Sequence, residues 1–181
     1  MLQQKFINAV INNCVQEVEY YIKNTKINPI INRHDPLKKA AFYGYSNIIE
    51  ILSNDDRVKI DYQNHIALKI AFERKHIHTC IKILDIYISK LKKTEEHFSK
   101  NHLTLCLLLG KNDLFKILIN QNKYSTKEFE DVLIASQYYH DKWIIPLIIN
   151  NLNIDLKWIH TNIHDKSYQN IIKSYINILN F

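Results

Sequence analysis

An all-α protein made of five helix-turn-helix repeats stacked in tandem is the fold class this sequence predicts, on three observations. The two glycines, Gly44 and Gly110, lie 66 residues apart, and the chain reads alike after each, GYSNIIEIL and GKNDLFKIL. Ala9, Ala40 and Ala71 are spaced 31 and 31, Ala135 falls 64 further on, and Cys106 fills the remaining copy with another small residue. The apolar residues, 31 Ile prominent among them, recur at amphipathic helical spacing instead of gathering into long runs. A fixed period of this kind decides the whole fold, because a unit too small to bury its own apolar face must stack on copies of itself.

The best copy shows how each unit is built. Asp35 is placed to cap a helix whose first residue is Pro36, a position where the missing proline N–H costs nothing. That helix should stop at Gly44, which can adopt the left-handed conformation that ends helices. A second helix is expected from Ser46 to Leu52, followed by a loop at Asn54–Asp56 and a short apolar segment, Val58–Ile60. The repeats then fall at 1–28, 29–60, 61–98, 99–124 and 125–154, with residues 155–181 forming a degenerate sixth pair or helical C-terminal cap of a single repeat domain. Residues 85–100 add an insertion that should lengthen the third repeat's second helix, with Thr94 placed as a cap for the segment after it.

The stretch DPLKKAAFYGYSNIIEIL resembles the ankyrin repeat, whose pattern runs Thr-Pro-Leu-His, two alanines, Gly-His and an Ile/Val-Leu-Leu segment over about 33 residues. IALKIAFERKHIHTCIKIL keeps Leu68, Ala71 and His76 of that pattern, HLTLCLLLGKNDLFKIL restores the glycine, and FINAVINNCVQEVEYYI and VLIASQYYHDKWIIPLII are weaker copies. The resemblance covers residues 1–154. It departs from the family at the hairpin tips, where the expected glycine is Arg33, Asn64 or Ser99, so short or irregular β-hairpin fingers are expected.

Composition narrows the function. Two glycines exclude a glycine-rich phosphate loop or a dinucleotide fingerprint. The longest apolar stretches are about seven residues against the roughly 20 that a membrane-spanning helix needs, and the opening MLQQKFINAVINNC lacks a signal-peptide core, so neither leader nor membrane contact is expected. Cys14, Cys80 and Cys106 lie inside helical apolar patterns, which reads as a reduced, cytoplasmic setting. The heavy use of Ile, Asn and Lys, 21 Lys against 3 Arg, looks like AT-rich coding and hints at an amoebal, parasitic or large-virus source, hence a host cytoplasm if the chain is viral or pathogen-encoded.

The net charge of +6 is spread thinly. Only Lys90, Lys92 and Lys93 cluster, and Glu95 and Glu96 follow at once as a solvated first turn. His76, His78 and Cys80 offer zinc-type ligands, but on a helix residues 76 and 80 share a face while 78 points away. No nucleophile stands beside a base, and no protease, kinase or hydrolase signature occurs. No cofactor, metal, catalytic residue or small-molecule substrate is therefore expected, and the chain is read as not an enzyme.

Stacked helical pairs present an extended surface suited to binding. The ankyrin resemblance implies that the two positions after the paired alanines and the hairpin tips contact a partner protein. Carried over, these are Phe42 and Tyr43, Glu73 and Arg74, and Gln137 and Tyr138 on the helices, with Ile31, Asn32, His34, Tyr62, Gln63 and His65 at the tips. Leu108 and Leu109 also match but are assigned to the core, since TLCLLLG is continuously apolar. The expected function is a non-catalytic protein-interaction module, in the setting of a virus- or pathogen-encoded factor engaging a host protein. The alternative is an electrostatic nucleic-acid binder using Lys38, Lys39, Lys69, Arg74 and Lys75. Self-association through the apolar terminal segment SYQNIIKSYINILNF is a third reading.

Overall fold

The computed structural model describes residues 2–90, 102–121, 124–149, 152 and 156–179; the expectations for Lys92, Lys93, Thr94, Glu95, Glu96 and Ser99 lie outside them. Every regular element among the described residues is helical. The chain divides into two compact units, Met1–Leu91 and Lys92–Phe181.

The first unit contains three helical hairpins: α1 (Leu2–Ile11) with α2 (Val15–Asn24), α3 (Ile31–Tyr43) with α4 (Ser46–Ser53), and α5 (Tyr62–Glu73) with α6 (Ile77–Lys90). First helices pack in a row, α1 on α3 and α3 on α5, and second helices in another, α2 on α4 and α4 on α6. The α4 sequence shows why: Ile48, Ile49 and Leu52 are buried at helical spacing while Asn47 and Glu50 stay exposed. The loop segment 58–60 buries Val58 and Ile60 as the sequence predicts. In the same loop Arg57 makes an ion pair with Asp55 at 2.6 Å and donates to the Ile27 carbonyl at 3.3 Å, tying successive loops together.

The second unit runs α7 (His102–Leu108), α8 (Asn112–Gln121), α9 (Thr126–Tyr139), a 3-10 turn at Lys142–Ile144 leading into α10 (Ile145–Ile148), α11 (Leu156–Asn162) and α12 (Lys166–Leu179). Helix α7 packs on α8 and α9, α10 on α9 and α12, and α11 on α12. Ser125 and Glu128 close a reciprocal cap at the start of α9, the Glu128 N–H donating to Ser125 Oγ at 3.3 Å and the Ser125 N–H to Glu128 Oε2 at 2.8 Å.

One hydrogen bond recurs in five hairpins and gives the repeat its register. The N–H of Cys14, Tyr45, His76, Lys111 and Asp141 donates to the carbonyl of Ala9, Ala40, Ala71, Cys106 and Ser136, at 2.9, 2.9, 2.9, 2.8 and 3.0 Å. Just before each donor stands a left-handed residue: Asn13 (φ 56°), Gly44 (77°), Lys75 (63°), Gly110 (61°) and His140 (56°). The acceptor position is at most 2% exposed in every copy, so only a small side chain fits between packed helices. This register corrects the alanine alignment: the equivalent residue of the fifth hairpin is Ser136, one place after Ala135.

The fingers also differ from expectation. No strand occurs among the described residues. Asn32, Arg33 and His34 take φ values of 49°, 58° and 61°, and Gln63, Asn64 and His65 take 48°, 53° and 59°, one left-handed turn in each repeat. The His34 N–H donates to the Ile30 carbonyl and the His65 N–H to that of Asp61, both at 3.1 Å, closing the turn within the chain instead of across a hairpin. Such backbone costs roughly 1–2 kcal/mol per residue for side chains other than glycine, so burial of the histidines must offset it. No helix among the described residues is long and apolar enough to cross a membrane.

Candidate protein-binding surface

At the turn end of α3, the left-handed Gly44 stops the helix and leaves Phe42 and Tyr43 on its last turn, 38% and 43% exposed. The turn that carries them is held from both sides. His76 Nε2 is 3.0 Å from the Phe42 carbonyl oxygen, and Thr79 Oγ1 donates to the Gly44 carbonyl at 2.9 Å, so the α5–α6 turn braces the α3–α4 turn. Toward the other neighbour, the Tyr45 hydroxyl donates to the Ile11 carbonyl at 3.4 Å. Tyr45 and His76 follow the left-handed residue of their turns, so one brace is repeated with two different side chains.

The aromatic rings form a connected surface. Phe42 meets Tyr43 edge-on with centroids 5.1 Å apart, and Tyr43 stacks on Tyr45 at 5.5 Å and 21°. The Arg74 guanidinium carbon lies 3.8 Å from the Phe42 ring centroid. Arg74 occupies in α5's turn the place that Tyr43 occupies in α3's, so adjacent repeats build one patch. Aromatic rings ordered in advance lose little entropy on binding, and Tyr and Arg are residue types that carry interface energy.

Glu73 is exposed beside this patch and faces Lys69 at 3.9 Å. An exposed pair of this type is worth only about 0–1 kcal/mol, so it is a feature of the surface and not of stability. Of the basic residues weighed for nucleic acid, Lys39 lies 3.7 Å from Asp35 and Lys38 Nζ 3.5 Å from the Asn32 carbonyl oxygen, while Arg74 and Lys75 are exposed without a carboxylate beside them.

The tip residues lie at the opposite end of α3 and α5, and their two histidines are buried. His34 is 6% exposed and stacks on Tyr62 with centroids 4.0 Å apart, and its Nε2 accepts the Lys59 N–H at 3.2 Å. Burial holds the His34 imidazole below its ordinary pKa of 6.5, and the Lys38 charge adds to that, against the opposing influence of the Arg57 backbone and Asp61. His65 is 8% exposed and meets Tyr87 edge-on at 5.0 Å. Ile31 and Tyr62 are half-buried, whereas Asn32 and Gln63 are exposed. Tyr62 is therefore not beside Phe42 and Tyr43; the structure brings Phe42, Tyr43 and Arg74 together and sets the tips apart as a seam between repeats.

In the second unit, Tyr138 stands two residues after the small Ser136, as Phe42 does after Ala40, and is 60% exposed. Gln137 is buried: its side chain donates to the Asn162 carbonyl at 3.3 Å and accepts the His164 N–H at 2.9 Å. Leu108 corrects a sequence expectation, being 41% exposed instead of core, because it too lies two residues past the small position. Tyr45 is the residue that sequence reasoning missed; an aromatic where the repeat pattern places histidine was the available signal.

The thiol and zinc readings find no support in the local chemistry. Cys80 is fully buried, and burial pushes its thiol up to about 12, the opposite of an activated nucleophile. His78 is exposed, so it does not converge with Cys80 and His76, and among the described residues no group of three or more His, Cys, Asp or Glu is arranged to hold a metal ion. Comparison of the chain with protein-family models, with curated proteins and with solved structures gives no match.

Proposed function

We propose that the chain is a non-catalytic protein-interaction module, a divergent ankyrin-type stack in which left-handed turns stand in for β-fingers. The reading of the stack rests on the small buried residue and left-handed turn recurring with a spacing of 31 residues in the first unit. The reading of the function rests on one observation: Phe42 and Tyr43 are solvent-exposed yet packed against Arg74 and Tyr45, on a turn braced by His76. Two large rings left 38% and 43% exposed on a braced turn offer area that can be buried further against another polypeptide, at little cost in ordering. The Ile-, Asn- and Lys-rich composition is in keeping with a viral or pathogen source, and a partner of such a factor would be a host protein.

Affinity capture from lysate of the source or host cell, run in parallel with the native chain and with Phe42→Ala combined with Tyr43→Ala, tests this. The native chain should retain a stoichiometric protein that the double variant loses, at a temperature where thermal melts show both chains folded. Equal retention by both chains, or loss only when Ile31 and Tyr62 are replaced, would overturn the assignment of the turn-end patch.

A further inference from the structure

The two rows of helices in the first unit differ in charge. The row α1, α3, α5 with its turns (residues 2–14, 31–45 and 62–76) holds seven Lys and Arg against two carboxylates, a net +5. Helices α2, α4 and α6 hold three Lys against four carboxylates, a net −1. Both carboxylates of the positive row are engaged by lysines, Asp35 by Lys39 and Glu73 by Lys69. Of the five cations of this row that face no carboxylate among the described residues, Lys5, Arg33, Lys38, Arg74 and Lys75, two, Arg74 and Lys75, lie at the edge of the Phe42–Tyr43 patch.

The Arg74 geometry is specific. Its guanidinium carbon lies over the Phe42 ring, 3.8 Å from the centroid, and it forms no ion pair among the described residues. A guanidinium held over a ring spends none of its five N–H donors on a carboxylate and can offer them in the fork that matches one. The stack also removes side-chain freedom before any ligand arrives, so less order is lost on binding.

We propose that the Phe42–Tyr43–Arg74 patch docks an acidic, apolar-containing polypeptide segment, with a carboxylate on the Arg74 guanidinium and a neighbouring apolar side chain against Phe42 and Tyr43. This inference rests on the protein-interaction reading above and adds the chemistry of the partner. A polypeptide suits the patch better than a nucleic acid because Asp35 and Glu73 interrupt the basic row, whereas a phosphate backbone needs a continuous stripe.

The test uses the full chain and three fluorescent probes: a twelve-residue peptide alternating Glu with Leu and Phe, the same peptide with Lys for Glu, and a single-stranded thymidine dodecamer. The acidic peptide should bind most tightly. Arg74→Gln should weaken it about tenfold, in line with the loss of one charge-assisted hydrogen-bonded pair. Arg74→Lys should recover only a minor part, since an ammonium cannot present the fork. Binding of the acidic and basic peptides with equal affinity, still lost in Phe42→Ala, would overturn the acidic preference while leaving protein binding in place. Tighter binding of the oligonucleotide, with steep salt dependence, would overturn both. No binding of the acidic peptide at millimolar concentration, or binding indifferent to Arg74→Gln, would also overturn the proposal. Thermal melts of each variant, with those at the exposed Arg74 expected to match the native chain, separate a lost contact from a lost fold.

Discussion

Gly44 and Gly110 hold the same place in their hairpins, both left-handed, at φ 77° and 61°, and both just before the N–H that closes the turn. What surrounds them differs. A Cβ built on Gly44 would lie 2.7 Å from His76 Nδ1 and 2.8 Å from its Cγ, whereas one on Gly110 would meet nothing within 4 Å. The backbone alone therefore explains Gly110, and backbone plus a neighbour explains Gly44. The first unit's turns are locked to one another through His76 and Thr79, and that lock is what holds the aromatic patch.

Gly44→Ala breaks this contrast most directly. It adds the left-handed cost of a Cβ, roughly 1–2 kcal/mol, to a steric cost of about 1–3 kcal/mol from the ring of His76. A loss of about 2–5 kcal/mol by urea unfolding is expected, along with displacement of the Phe42 carbonyl from His76. In a His76→Ala background the same substitution should cost only its backbone share, since the ring it strikes is gone. An unchanged cost in that background would mean that the brace between turns is not what glycine accommodates.

Gly110→Ala sharpens the contrast from the other side. With open space around it, only the backbone share of roughly 1–2 kcal/mol should remain. Asn13, Lys75 and His140 already bear that cost at the equivalent position, so a tolerated alanine at 110 is in keeping with the rest of the molecule. A loss as large as that of Gly44→Ala would reveal a constraint on the second unit's turn that its surroundings do not contain.

Much of this organisation was legible in the residues. The period could be read because a buried acceptor position admits only Ala, Cys or Ser, and the α3–α4 boundary because Gly44 acts through its own backbone geometry. The fifth hairpin slipped by one residue because Ala135 and Ser136 are both small, and only the Asp141 N–H bond to the Ser136 carbonyl distinguishes them. The exposure of Phe42 and Tyr43 followed from their place after the small position, and Leu108 would have followed by the same rule had the apolar run not outweighed it. The tips were opaque for a different reason. His34 and His65 are polar residues in an expected loop, and their burial depends on Tyr62 and Tyr87, partners 28 and 22 residues further along the chain. A left-handed turn built without glycine has no local signature beyond two asparagines.

That closed end of the molecule has its own consequence, smaller than those at the turns and dependent on pH. Because His34 Nε2 accepts the Lys59 N–H, the buried imidazole is neutral at that nitrogen, and protonating it would lose the bond and place a charge between Tyr62 and the loop. Its folded pKa lies below the ordinary 6.5, so as pH falls through 6.5 the unfolded chain takes up a proton that the folded chain does not. The stability contributed by neutral His34 is thus complete above pH 6.5 and declines as pH falls toward the folded value, below which the loss levels off. Thermal melts between pH 7.5 and pH 5 should show a fall in midpoint for the native chain that is reduced in His34→Gln, whose amide does not titrate. Equal slopes in the two chains would place the acid sensitivity elsewhere and leave the His34–Tyr62 seam as packing without a protonation cost.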